Sequence, residues 1–242
     1  MSAEPPRVLA LWSVPRARST AFFRMMLERT DVISLHEPFA QLADFGDMVI
    51  AGRLVRSQAG AIRAIRLLSR ERRVFFKDTM DFRYPDVLGD RRFLRQTGHA
   101  LLIRHPREVI ASHYALNPEL KVDDIGFTRL HELWTAIVAA GRPAPLVIDS
   151  DSLLARPEQV VRAYCDRMQL PFCPETLTWT PGARPEWGRT QRWHAAASQS
   201  HGFTATLGGG YRHTVDNSAV LAEYCRYHLP SYESLYRHRL VV

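Results

Sequence analysis

Cysteine is scarce in this chain: 242 residues contain three. Cys165, Cys173 and Cys225 are an odd number with no metal-ligand spacing. That excludes a disulfide scaffold and a zinc module, and it suits a reducing compartment. Long apolar runs are missing as well, and none approaches the roughly 20 residues of a membrane span. Glu4-Pro5-Pro6-Arg7 precedes an apolar stretch of only about six residues, too short for the core of a secretory leader. Repeats and low-complexity tracts are absent, which excludes solenoids and fibrous arrays. The expectation is one cytoplasmic domain over residues 1–242, with a core over about 7–175 and a covering region over about 176–242.

A hydrophobic fraction of 46% is enough for a sizeable core and argues against disorder. The net charge of +7 favours anionic ligands. It also permits nucleic acid, but the arginines are not interleaved with aromatics on one strand face, so no nucleic-acid partner is expected. Short apolar stretches at Val8–Trp12, Val32–His36, Val74–Lys77, Ala100–Ile103 and Leu146–Ile148 read as strands. Helical patterns lie between them, at Ser19–Arg29, within Asp44–Arg70, at Pro106–Leu116, Gly126–Ala140 and Pro157–Met168. Strands that are apolar on both faces and alternate with helices predict a three-layer α/β fold, a mostly parallel sheet of about five strands flanked by helices. Leu54–Arg73 reads as a basic amphipathic helix with a solvated arginine face. Residues 175–217 read as loops, and Ser218–Tyr236 returns to a helical pattern.

The first strand runs into Ser13-Val14-Pro15-Arg16-Ala17-Arg18-Ser19-Thr20. A strand, a basic loop and a helix start together make an anion cradle. First-turn N–H groups are unpaired, the helix dipole adds roughly half a positive charge, and hydroxyls add donors. The loop has neither the glycines nor the lysine of the triphosphate-binding G-x-x-x-x-G-K-[ST] pattern, and no strand Asp stands out to complete a Mg²⁺ site. It suits an anion held without a metal. A second strand-turn-helix unit follows at Arg104-His105-Pro106, with Pro106 placed for a first helical turn and Ser112 about two turns on.

Together these segments resemble the sulfotransferase family. Its first loop reads P-[KR]-[ST]-G-[ST]-[ST], and Pro15, Arg16, Ala17, Ser19 and Thr20 fall into that frame, with Arg18 where glycine is usual. Arg104, Pro106, Ser112 and Tyr114 match the family's R-x-P-x-x-x-x-x-S-x-Y element. Residues 145–172 are similar to a third family stretch that carries no chemistry. The resemblance implies a P-loop-like sulfotransferase fold and 3′-phosphoadenosine-5′-phosphosulfate (PAPS) as donor. It also implies a small-molecule hydroxyl acceptor and no metal. Arg16, Ala17, Arg18, Ser19 and Thr20 would hold the 5′, sulfuryl-bearing end, and Arg104 and Ser112 the 3′-phosphate. Arg18 then reads either as a second clamp on the sulfuryl group or as a side chain turned toward the acceptor.

Transfer to a hydroxyl needs a base and cationic stabilisation of developing charge. Glu37, in His36-Glu37-Pro38-Phe39 after the second strand, is the favoured base, followed by His36 and then Asp78. The resemblance implies Arg16, in place of the family's loop lysine, and Lys77, at the family's strand-end lysine, as the catalytic cations; a guanidinium stabilises charge but does not release its proton. Arg189–His194 and Gly209–His213 are the two candidates for a loop covering the nucleotide, and Trp187, Trp193, Phe203 and Tyr211 for an aromatic lining. Two other readings stay open, a metal-dependent nucleotide kinase or NTPase and a non-catalytic nucleotide-binding protein. Acceptor identity and oligomeric state are not fixed.

Overall fold

The computed structural model describes residues 4–141, 143–204 and 210–242. In chain order the elements are β1 (Val8–Ser13), α1 (Ser19–Leu27), β2 (Val32–His36), α2 (Pro38–Phe45), β3 (Met48–Ile50), β4 (Arg53–Val55), α3 (Gln58–Leu68), β5 (Arg73–Thr79), α4 (Pro85–Gly89), α5 (Arg91–Gln96), β6 (Thr97–Ile103), α6 (Pro106–Tyr114), α7 (Phe127–Ala139), β7 (Leu146–Asp149), α8 (Ser150–Ala155), α9 (Pro157–Met168), α10 (Ala195–Ser198) and α11 (Ala219–Tyr236). Short 3₁₀ segments fill Val122–Ile125, Pro174–Leu177 and Pro185–His194.

Five strands form one sheet in the order β2-β5-β1-β6-β7, and every pairing in it is parallel. This is the expected sheet. The central strands β1 and β6 are buried along their whole length, which explains their unbroken apolar runs. Helices cover both faces, and a continuous apolar core runs from Val8 through Phe22 and Tyr164 to Leu235. The C-terminal helix α11 packs on α6 and α7. No described helix is long and apolar enough to cross a membrane.

The sheet order creates a crevice. From β1 the chain leaves through α1 toward β2 on one flank; from β6 it leaves through α6 toward β7 on the other. Neighbouring strands whose connections diverge leave a gap at their carboxyl ends, where open α/β sheets bind ligands. The two basic loops, 14–18 and 104–105, border that gap.

The reading differs from the structure between residues 44 and 73. The helical pattern there contains a separate antiparallel hairpin, β3–β4, and helix α3 covers only Gln58–Leu68. The hairpin turns at Ala51 and Gly52, both with positive φ (49° and 75°). Its turn lacks the Asn-Gly or Asp-Gly signature that marks such hairpins in a sequence. Arg53 and Leu54 are therefore strand residues, and Arg73 opens β5. On α3, Ala61, Ile62 and Ile65 face the core while Arg63 is exposed, so its arginine face is solvated as expected. The short helix α2, which has no side-chain cap at its own start, begins directly after Glu37.

Candidate functional site

The loop after β1 takes two turns that L-residues rarely adopt. Arg16 has φ 65° and Arg18 has φ 68°. The second explains why glycine suits that position, since only glycine enters the left-handed region without a Cβ penalty. Arg18 stands immediately before α1, and no side chain caps the helix start, so the first N–H groups of α1 remain available. Ser19 is buried, Thr20 half-buried, and Ala17 fully buried behind them.

The Arg16 side chain crosses the crevice. Its Nε donates to Ser112 Oγ at 3.2 Å and its Nη1 to the Trp193 carbonyl at 2.9 Å. Arg16 and Ser112, assigned to opposite ends of a donor by the sequence, are thus in contact. Burial and the neighbouring Arg104 push the Arg16 pKa down. Arg104, at the end of β6, donates to the Arg16 carbonyl at 3.4 Å and to Glu108 at 3.2 Å. Its Nε is buried and, among the described residues, has no hydrogen-bond partner.

The Arg18 side chain turns to the end of β7, where its Nη1 donates to Ser150 Oγ at 3.2 Å and to Asp151 Oδ1 at 2.5 Å; the residue lines the same cavity as Glu37.

The opposite flank carries the carboxylate. Glu37 has φ 47° and stands just before α2, a strained conformation of the kind that clusters at functional sites. Its N–H donates to the Lys77 carbonyl at 2.8 Å. Its Oε1 is ion-paired with Lys77 Nζ, and both side chains are almost wholly buried, at 10% and 1% exposure. Lys77 is therefore bound to Glu37 rather than to Asp78 or Asp81. Asp78 is withdrawn from any role as base: its carboxylate accepts the N–H groups of Phe39 (2.7 Å), Ala40 (3.1 Å) and Thr79 (3.0 Å), which caps α2 from the neighbouring strand.

His36 lies behind Glu37 rather than in the crevice. Its Nδ1 is 3.7 Å from Glu37 Oε2, neither ring nitrogen has a hydrogen-bond partner among the described residues, and burial together with Lys77 holds it well below its ordinary pKa. Its ring meets that of His194 edge-on at 4.8 Å. His194 was not singled out as a site residue by the sequence. Its Nδ1 is 3.1 Å from Thr20 Oγ1 and its Nε2 3.3 Å from Thr190 Oγ1. The Thr190 hydroxyl already donates to the Trp187 carbonyl at 2.8 Å, so it accepts from His194 Nε2–H. The Thr20 hydroxyl then donates to Nδ1. Burial, with Lys77 nearby, lowers His194 to about 2, so it is neutral at ordinary pH.

Arg16, Arg18, Ser19, Thr20, Glu37, Lys77, Arg104, Ser112, Thr190 and His194 line one cavity of about 1060 Å³, whereas Ala17, His36, Asp78, Ser150 and Asp151 lie outside its lining. It also takes in His113, Trp193 and Tyr211 on the Arg104 side, and Asp44, Phe45, Asp81 and Phe82 on the Glu37 side. Burial and the charge of Arg16 lower His113 to about 4, and burial raises Asp81 to about 7. Both candidate covering segments reach the cavity, through Arg189–His194 and through Tyr211, although Gly208 and Gly209 lie outside the described residues. Trp193 and Tyr211 line it, whereas Trp187 and Phe203 belong to the core.

Among the described residues, His36, Glu37 and His194 are the groups close enough to hold a metal, with ligand atoms within 4.8 Å of one another. Both His194 nitrogens are engaged by threonines and Glu37 Oε1 by the Lys77 ammonium. An ammonium at that distance opposes a second cation, so the donor set does not suit a metal ion.

The family described as "Sulfotransferase domain" matches residues 7–235. Among curated proteins, the chain is 26% identical over 212 residues to "Branched-chain-amino-acid aminotransferase-like protein 1" of Arabidopsis thaliana, covering 83% of this chain and 37% of that protein. It is 25% identical over 210 residues to the corresponding protein 2, covering 82% and 36%. The chain thus spans little more than a third of these relatives' length. Similar solved structures include the "Sulfotransferase Domain from the Synechococcus PCC 7002 Olefin Synthase" (TM-score 0.49, 13% identity, 95% of this chain and 97% of that one). A retinol dehydratase in complex with retinol and PAP is another (TM-score 0.46, 10% identity, 99% and 84%).

Proposed function

This chain belongs to the sulfotransferase domain family, and from that premise we propose that it moves a sulfuryl group from PAPS to a hydroxyl of a small-molecule acceptor. One observation carries the reading. A single cavity at the carboxyl edge of the sheet joins a cationic cradle (Arg16, Ser19, Thr20, Arg104, Ser112) to the Glu37–Lys77 pair. The buried, unpartnered Arg104 Nε fits a phosphate of the donor, because a buried guanidinium donor left unsatisfied is costly until an anion arrives. At about 1060 Å³ the cavity slightly exceeds the usual range for one drug-sized ligand, about 300–1000 Å³, and so leaves room for donor and acceptor together.

The donor supplies the sulfuryl group. The first-turn N–H groups of α1, those of Ser19 and Thr20, and the Ser19 hydroxyl hold its 5′-phosphate, and Arg104 and Ser112 its 3′-phosphate. As the acceptor oxygen bonds to sulfur, the sulfur–oxygen bond to the nucleotide breaks and the acceptor proton passes to Glu37. Lys77 holds Oε1, which leaves Oε2 to take that proton. Lys77 meets the charge that develops on the transferred group and the leaving oxygen, and Arg16, whose guanidinium spans the crevice to Ser112 and Trp193, adds its charge from between the two ends of the donor. Arg16 does this as a fixed cation. His194 and His113, neutral over the working range, line the site without adding charge. The unpaired Cys165, Cys173 and Cys225 support a cytoplasmic setting.

The test combines calorimetry with adenosine 3′,5′-bisphosphate and turnover with a panel of hydroxylated acceptors. Glu37→Gln keeps affinity for the bisphosphate within about threefold and lowers turnover by 10²-fold or more, the span expected of a general base. Arg104→Ala weakens the bisphosphate by at least about tenfold. EDTA leaves turnover unchanged. Absence of binding to PAPS and to the bisphosphate would overturn the reading; full turnover in Glu37→Gln would overturn the base.

A further inference from the structure

Resting on the donor reading above, we propose that Arg18 is a ligand of the donor's distal, 3′-phosphate, forming with Arg104 a two-guanidinium clamp for a phosphate monoester dianion. The sheet order places it there. Lys77 lies on β5 and Glu37 follows β2, on one side of β1; Arg104 and Ser150 follow β6 and β7, on the other. The Arg18 side chain leaves the β1 loop and crosses to the β7 end, where it donates to Ser150 and Asp151. It therefore lies on the Arg104 flank, not on the sulfuryl flank.

Three observations mark this corner as a site for an incoming anion. Arg104 is 8% exposed, and among the described residues its Nε has no hydrogen-bond partner. Ser150, which accepts from Arg18, is fully buried and thus a fixed anchor that orients the guanidinium. Finally, each arginine is held by a replaceable counter-charge. The Asp151 and Glu108 side chains are 64% and 46% exposed, and ion pairs with a solvated partner are worth about 1 kcal/mol or less. A dianion satisfying both guanidinium forks displaces them readily. The two arginines already sense each other, since the Arg18 charge helps to lower the Arg104 pKa after burial. An arginine at φ 68° is strained where glycine is not, and the clamp gives the side chain a use that offsets this.

Titration calorimetry at fixed ionic strength, with adenosine 3′,5′-bisphosphate and adenosine 5′-phosphate as probes, tests the clamp. In the parent protein the bisphosphate binds more tightly. In Arg18→Ala and Arg18→Gly that preference falls about tenfold while adenosine 5′-phosphate changes less than about twofold. Arg18→Gly melts at or above the parent temperature, because glycine relieves the backbone. Asp151→Asn, which removes the competing carboxylate, tightens the bisphosphate severalfold. An unchanged preference in both Arg18 variants overturns the clamp and leaves the donor reading intact. Equal weakening of both nucleotides overturns it too, by placing Arg18 at the 5′ end. No binding of either nucleotide by the parent protein overturns both readings together.

Discussion

At the scale of single residues, the site rests on a buried pair of opposite charges. Glu37 and Lys77 are nearly excluded from solvent, and removing one partner leaves an uncompensated buried charge, which costs about 3–5 kcal/mol. Lys77→Met and Glu37→Gln are each expected to lose stability of that order in urea unfolding, and the double variant to recover most of it. Equal, additive losses would show that the two groups are not coupled. Arg18 is the residue whose role the sequence stated least well. Its departure from glycine was visible in the loop pattern, but its direction was not, because a side chain of that length can turn to either flank from a left-handed backbone. His194 was hidden for another reason. It sits in an irregular segment with no spacing rule, and only the hydroxyls of Thr20 and Thr190 show that it belongs to the anion loop.

At the scale of elements, helix α2 shows how a strand supports a loop. Its N-terminus has no cap from its own sequence; Asp78 of β5 supplies the acceptor instead, taking the N–H groups of Phe39 and Ala40. Asp78→Ala orphans these donors and that of Thr79, and an expected loss of about 2–4 kcal/mol follows. For a protein of this size that is a fall of roughly 5–15 °C in melting temperature. Because Glu37 stands at the start of the same helix, turnover falls as well, while affinity for adenosine 3′,5′-bisphosphate on the Arg104 flank stays within about threefold. A matching loss of bisphosphate affinity would refute the separation of the two flanks. Strands were legible from their two-sided apolar runs, and β2 and α9 match the expected ends residue for residue. The β3–β4 hairpin and α2 were not, since a two-residue Ala-Gly turn and a helix capped from a distant strand leave no local signature.

At the scale of the whole molecule, the cavity is lined and backed by imidazoles kept neutral by burial. His194 is lowered to about 2 and His113 to about 4, and His36 is lowered too. A histidine whose folded pKa is depressed takes up its proton first in the unfolded chain, so the stability tied to it is present above about pH 6.5 and lost as pH falls. His194→Gln removes one such proton. Its stability against pH is therefore expected to be shallower than the parent's by about 1.4 kcal/mol per pH unit between pH 6 and 4. Asp81, raised to about 7 by burial, acts with the opposite sign. Relative to the parent, Asp81→Asn gains stability as pH rises from 4 to 7 and is level above that. Urea midpoints measured across this range check both slopes, and identical slopes in all three proteins would refute the neutral imidazoles. The parallel α/β sheet and the two basic turns are written in local pattern, because each follows from a few neighbouring residues. Folding in three dimensions is what brings Arg16 to Ser112, Lys77 to Glu37, Asp78 to the start of α2 and Arg18 to the end of β7. Those outcomes depend on strand order and side-chain direction across a crevice, where partners 38 to 133 positions apart in the chain become neighbours.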